Sequence, residues 1–216
     1  MVDYRESLVK DRTAAQNRLR WRLHELEPGY DPPPGSLNRY KTLDHIDQLL
    51  AAHRSMVAVL AHREVTRIRE LTREANQRQR DISQRVTQLV PSLLKIPECG
   101  ALSVGKLLGE AADISRFKSR DAYAMWAGVA PIPVWSANTE RFRLNRGGNR
   151  QTNAALHRIA ITQLRIHPDA QTFIKRRLET GSTKREALRL LKRKLANVVY
   201  RTLLTDTQKP ALAPAA

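Results

Sequence analysis

Between Gly128 and Arg150 the chain reads GVAPIPVWSANTERFRLNRGGNR, placing one serine, four arginines and a glycine pair just ahead of a predicted helix start. These residue types suit a phosphate group. Arg141, Arg143, Arg146 and Arg150 can each present a planar fork of donors to phosphate oxygens. Gly147 and Gly148 would let the backbone approach an anion with no side chain between. A helix opening near Asn149 would add unpaired amides and the positive end of its dipole. Ser136 lies seven residues before Arg143 on a segment that reads as extended or hairpin, and a hydroxyl beside a caged phosphate is a candidate nucleophile. Spacing alone leaves a second interpretation open, a basic surface loop carrying an ordinary serine.

Composition points to the same class of partner. Lysine and arginine number 38 against 21 acidic residues, a formal charge of +17, which favours a polyanion and above all nucleic acid. A membrane fits poorly, because no run approaches about eighteen apolar residues and the start, MVDYRESLVK, lacks the apolar centre of a signal peptide. The expected location is the cytoplasm, on the nucleoid when DNA is bound. Cys99 is the single cysteine, so no internal disulfide or multi-cysteine zinc site can form, and the six histidines have no metal-ligand spacing. No metal site and no cofactor are assigned to this chain.

The elements that must position these groups are mainly α-helical. Leu8, Ala15, Leu19, Leu23 and Leu26 recur at helical spacing until Pro28-Gly29, giving an N-terminal helix over 1–27. The proline-rich stretch 28–35 reads as a stiff linker or bend. Over 36–90, Leu43, Ile46, Leu49 and Leu50 lead into Val57, Ala61, Val65, Ile68, Leu71, Ala75, Ile82, Val86 and Leu89, a narrow stripe spaced by threes and fours. That pattern predicts one or two long helices in an antiparallel hairpin or coiled coil, with self-association to cover the stripe. The arginines on the other faces, Arg63 to Arg85, suit either solvent or phosphates.

Pro91 closes that region, and residues 91–207 read as a compact helical domain. LLKIPECGALSVGKLLGEAAD, 93–113, resembles a helix-hairpin-helix, with the hairpin at Pro97 to Gly100, although Glu98 stands where the module carries glycine. Gly100 would then open the second helix and offer its amides to a phosphate. A purely structural hairpin is the alternative. Ser119 reads as an N-cap, with Ala122, Tyr123, Met125 and Trp126 supplying an apolar face. A short β-hairpin is possible around 134–144. Helices follow from about Asn149 to Arg165 and from Pro168 to Gly181, and Thr183 to Glu186 has the form of a capping box opening a last helix. The tail 208–216 is expected to be disordered.

Several of these segments in fixed order resemble the C-terminal domain of the insertion-sequence 110/116/902 transposases: IPECG, DISRFKSRDAYAMWAGVAP, the serine ahead of RFRLNRGGNRQTNAALHRIA, and GSTKREALRLLKRKLANVVY. The first helix is similar to the region that follows the first catalytic domain of that family. The resemblance implies a recombinase with a RuvC-type metal domain, a coiled-coil connector and a serine domain, in some members guided by a structured RNA. It maps the nucleophile onto Ser136, with Ala137 in place of the family's glycine and Trp135 in place of a frequent serine. Arg141, Arg143, Arg146, Gly147, Gly148, Asn149 and Arg150 would shape the serine site and hold the scissile phosphate. No segment of this sequence matches the metal domain, so Mg²⁺ is expected only with a RuvC-like partner, and the chain is expected to be inactive alone. The implied partners are element-end and target DNA, guide RNA and a second copy of the chain. The alternative is a non-catalytic remnant that binds element DNA or RNA, or regulates intact transposase.

Overall fold

The computed structural model describes residues 1–136, 139–143 and 145–208, and the side chains of 134–143 lie outside that description. Ala137, Asn138, Leu144 and the tail from 209 onward are therefore outside the described residues. The chain is mainly α, with eight α-helices and one two-stranded antiparallel hairpin among the described residues. It divides into two units, residues 1–82 and residues 83 onward.

The first unit is built on three helices, α1 (Val2–Leu26), α2 (Tyr40–Leu50) and residues 56–82 of α3 (Met56–Leu89). Hydrogen bonds join Tyr4 to Glu74, Arg12 to Thr72 and Arg18 to Glu64, so positions rise along α1 as they fall along α3 and the two helices are antiparallel. Ala15, Leu19 and Leu23 of α1, Leu43, Ile46 and Leu50 of α2, and Ala61, Val65 and Ile68 of α3 form one buried cluster. Leu8, Leu71 and Ala75 form a second.

This arrangement corrects the reason for expecting self-association. In this unit the apolar stripe of α3 is covered by α1 and α2 of the same chain, because each of those helices brings its own apolar face to it. Part of the arginine-rich surface is also internally tied, since Arg69 bridges Asp44 and Asp47 of α2, each at 2.6 Å. The proline-rich bend is fastened back as well. Arg20 reaches Asp31 at 2.5 Å and the Pro33 carbonyl at 3.3 Å, and the Tyr30 ring meets His45 edge-on.

The second unit holds α4 (Ala101–Ala111), α5 (Arg120–Trp126), β1 (Ile132–Ser136), β2 (Thr139–Arg143), α6 (Arg150–Ile166), α7 (Pro168–Glu179) and α8 (Lys184–Gln208). Leu93, Val104, Leu107, Tyr123, Leu156, Ile159, Val199 and Leu203 are buried in it. Phe117, Tyr123, Trp126 and Tyr200 stack at centroid distances of 5.0 to 5.8 Å, and the Tyr200 hydroxyl donates to the Phe117 carbonyl. Burial pushes the Cys99 thiol up to about 12, so it stays protonated at neutral pH.

The helix ends obey the chemistry of their residues. Ser119 accepts from the Ala122 amide at 3.1 Å, and Thr183 and Glu186 close a reciprocal capping box. At the other end of α8, the Asp206 carboxylate accepts the Ser92 amide at 2.9 Å, tying that helix to the start of the unit.

Ahead of the Pro97–Gly100 hairpin the chain forms a 3-10 turn, Pro91–Lys95, and α4 follows. Glu98 sits at φ 61°, the left-handed region where glycine is the easier residue, and the Pro97 carbonyl accepts Gln163 of α6 at 2.8 Å. The hairpin is thereby held against α6.

Candidate nucleic-acid interface

The site begins where α5 ends. Gly128 takes φ +68°, a left-handed C-terminal turn, and its amide bonds the Met125 carbonyl at 3.0 Å while Val129 returns to Ala124. From this turn the chain leaves into β1, which pairs with β2. Ile132 stands opposite Arg143, Val134 opposite Arg141, and Ser136 opposite Thr139 at the pair nearest the connection. Ser136, Arg141 and Arg143 therefore belong to pairs of the same parity in the register. Trp135–Glu140 and Pro133–Phe142 make up the other parity.

After β2 the loop 145–149 is stitched to the α5 turn by backbone and amide groups. Asn145 donates to the Met125 carbonyl at 2.9 Å, and its own oxygen accepts the Gly147 amide at 3.0 Å. The Asn149 amide bonds the Trp126 carbonyl at 2.6 Å. Gly148 lies directly on Gly128. A β-carbon at Gly148 would stand 2.2 Å from the Gly128 α-carbon and 2.9 Å from the Trp126 carbonyl oxygen.

These contacts revise the role expected of the glycine pair. The missing side chain at Gly148 admits the backbone of Gly128. Asn149 is likewise engaged, since its oxygen caps α6 through the Thr152 amide at 2.8 Å and its amide donates to Glu110 of α4 at 2.7 Å. Asn149→Ala should therefore lower stability by about 1 to 2 kcal/mol, measured by urea unfolding, while DNA affinity at fixed salt stays nearly constant. A phosphate-gripping Asn149 would give the opposite pair of results.

Arg146, Gly148 and Arg150 do come together, and they meet three cations of the last helix. Arg185, Arg189 and Lys192 of α8 line one groove with Arg146, Arg150, Asn153 and His157, enclosing about 400 Å³. No carboxylate lines it among the described residues. The signal was in the sequence, because positions 185, 189 and 192 fall on one face of a helix.

At the inner end, Lys192 donates to the Asn153 oxygen at 2.5 Å, and Asn153 in turn donates to the Ala127 and Gly128 carbonyls at 3.1 and 2.9 Å. Burial, then the charge of Arg189, hold the Lys192 pKa below the ordinary lysine value. Burial and the charge of Lys192 lower that of His157. Gly100 stands apart from this groove as the N-cap of α4.

Among the described residues no three His, Cys, Asp or Glu side chains gather as a metal-binding group, and no helix is long and apolar enough to cross a membrane. No curated protein matches the chain. The sequence profile of the Transposase IS116/IS110/IS902 family matches residues 90–175, spanning the hairpin strands, the 145–149 loop and α6, so this portion of the chain is similar to transposases of that family.

Proposed function

We propose that the second unit binds DNA along the cationic groove and presents Ser136 to a phosphodiester during transposition. The observation that carries this is the groove itself. Five cations from the 145–149 loop, α6 and α8 converge with no carboxylate among the described lining residues, directly after the strands that hold Ser136, Arg141 and Arg143. In the proposed reaction the Ser136 hydroxyl gives its proton to a base as its oxygen bonds to phosphorus, the bond from phosphorus to the departing deoxyribose oxygen breaks and that oxygen takes a proton, and the arginines stabilise the charge on the phosphoryl oxygens.

An alcohol needs a base or a metal to attack at neutral pH. That part is assigned to Mg²⁺ held by a RuvC-like partner domain. The same observation favours a second role, a protein that binds element DNA or guide RNA without cleaving it unaided. A second copy of the chain remains a proposed partner, although the covered stripe of α3 in the first unit does not supply the contact.

The test has two readouts. Five to eight phosphate contacts should cost roughly two to four decades of affinity for duplex DNA between about 50 and 200 mM salt. Arg146→Ala and Arg150→Ala should each reduce that salt slope by about one. With a RuvC-domain partner, Mg²⁺ and element-end DNA, Ser136→Ala should abolish a covalent protein–DNA adduct and leave affinity nearly unchanged. A flat salt response argues against DNA binding by the groove, and an adduct that survives Ser136→Ala removes the nucleophile assignment.

A further inference from the structure

Lys192 is a buried charge whose neighbours do not balance it. It is 9% exposed, and among the described residues its ammonium has one hydrogen-bond acceptor, the neutral amide oxygen of Asn153. That oxygen cannot exchange places with the amide nitrogen, because the nitrogen is committed to the Ala127 and Gly128 carbonyls. The other titratable groups lining the groove are basic: Arg185 and Arg189 on α8, Arg146 on the loop, and Arg150 and His157 on α6. The next residue along, Arg193, turns to Asp121 and is balanced by it. A cation largely withdrawn from water is penalised unless an opposite charge accompanies it, and no carboxylate among the described residues lining the groove brings one.

We propose that Lys192 is the floor of a phosphate-binding site, completed by one phosphate group of a nucleic-acid backbone. The assignment to nucleic acid rests on the function proposed above, whereas the phosphate chemistry stands on the groove alone. An ammonium has three donors, and one is spent on Asn153, so two remain for ligand oxygens. The arginines around it offer planar forks suited to the remaining oxygens of a phosphate. A space of about 400 Å³ also exceeds what a single carboxylate needs and leaves room for the sugar on either side of a phosphodiester. Binding would restore the Lys192 pKa toward the ordinary value, since it supplies the charge that burial and Arg189 deny.

The experiment uses the full chain. Its melting temperature is measured in inorganic phosphate and in chloride of equal ionic strength, and duplex DNA affinity is measured beside it. The wild type should melt higher in phosphate, and duplex DNA should displace the bound phosphate. Lys192→Met keeps an apolar stem while removing the charge. It should melt no lower than wild type in chloride, lose the phosphate increment, and bind duplex about tenfold more weakly with the salt slope reduced by about one. Should that variant fold poorly, the Cε resonance of Lys192 in the wild type gives an independent measure, with an apparent pKa that rises on adding phosphate.

The absence of a phosphate increment in the wild type overturns the site, as does an increment that persists in Lys192→Met or a Lys192 pKa unmoved by phosphate. Phosphate that duplex DNA cannot displace overturns the nucleic-acid assignment. The two proposals fail separately. DNA binding that is unchanged in Lys192→Met removes this site and leaves the function standing, and a phosphate increment in a chain that does not bind DNA does the reverse.

Discussion

Gly148→Ala is expected to destabilise the second unit by about 3 kcal/mol or more, a fall in melting temperature on the order of ten degrees. The added β-carbon would meet the Gly128 α-carbon at 2.2 Å and its nitrogen at 2.3 Å. Both are backbone atoms, so no rotamer change relieves the overlap. Moving Gly128 away would break the Asn153 bonds to the Ala127 and Gly128 carbonyls, and moving the loop would break the bond from the Asn149 amide to Trp126. Gly147→Ala is the control, since its β-carbon would lie 3.6 Å from the Asn145 side-chain oxygen, an ordinary contact. It should shift stability by no more than about 0.5 kcal/mol. Thermal unfolding followed by circular dichroism decides the matter, and equal melting temperatures for the two variants would refute the packing role.

The second large effect is expected in the first unit. Leu71→Asp places a carboxylate where the side chain is 1% exposed and packed with Leu8 and Ala75. Losing that apolar contact and burying an unpaired charge should together cost about 4 kcal/mol or more. Because the contacts lie within one chain, the loss should not depend on protein concentration. A stripe covered by a second copy would behave differently, with the defect receding as concentration rises and association compensates. Urea unfolding at two concentrations roughly a hundredfold apart separates these outcomes.

Much of this molecule was legible in its residues. Pro28-Gly29 does end the first helix, Ser119 does cap α5, and Thr183 with Glu186 does form the predicted box, because each device depends only on neighbours within one turn. A hairpin was anticipated close to where the strands lie. Longer-range relations were not legible. Periodicity places an apolar stripe on α3 but does not say which helix covers it, and α1 and a second chain would leave the same pattern in the sequence.

The site follows the same division. Arg146 and Arg150 were recognised from their proximity to the glycine pair, while Arg185, Arg189 and Lys192 join them only because α8 packs beside α6. Gly148 was assigned to a ligand because a glycine next to arginines looks alike whether it faces an anion or another backbone. Asn145, Asn149 and Asn153 each spend their amides on backbone or capping contacts, and nothing local to the sequence distinguishes those uses from contacts to phosphate.

The bond between Asp206 and the Ser92 amide, which spans 114 positions, bears on how the protein is made. As the chain leaves the ribosome, the first unit has every segment of its core available once residue 82 has emerged. The second must wait for α8, whose Leu195, Val199 and Leu203 complete its interior. Until then α5 and α6 lack the helix they pack against. Contacts so distant along the chain make closure slow, and leave the half-made unit exposed to aggregation. The release of α8 is thus the step on which completion of the second unit waits.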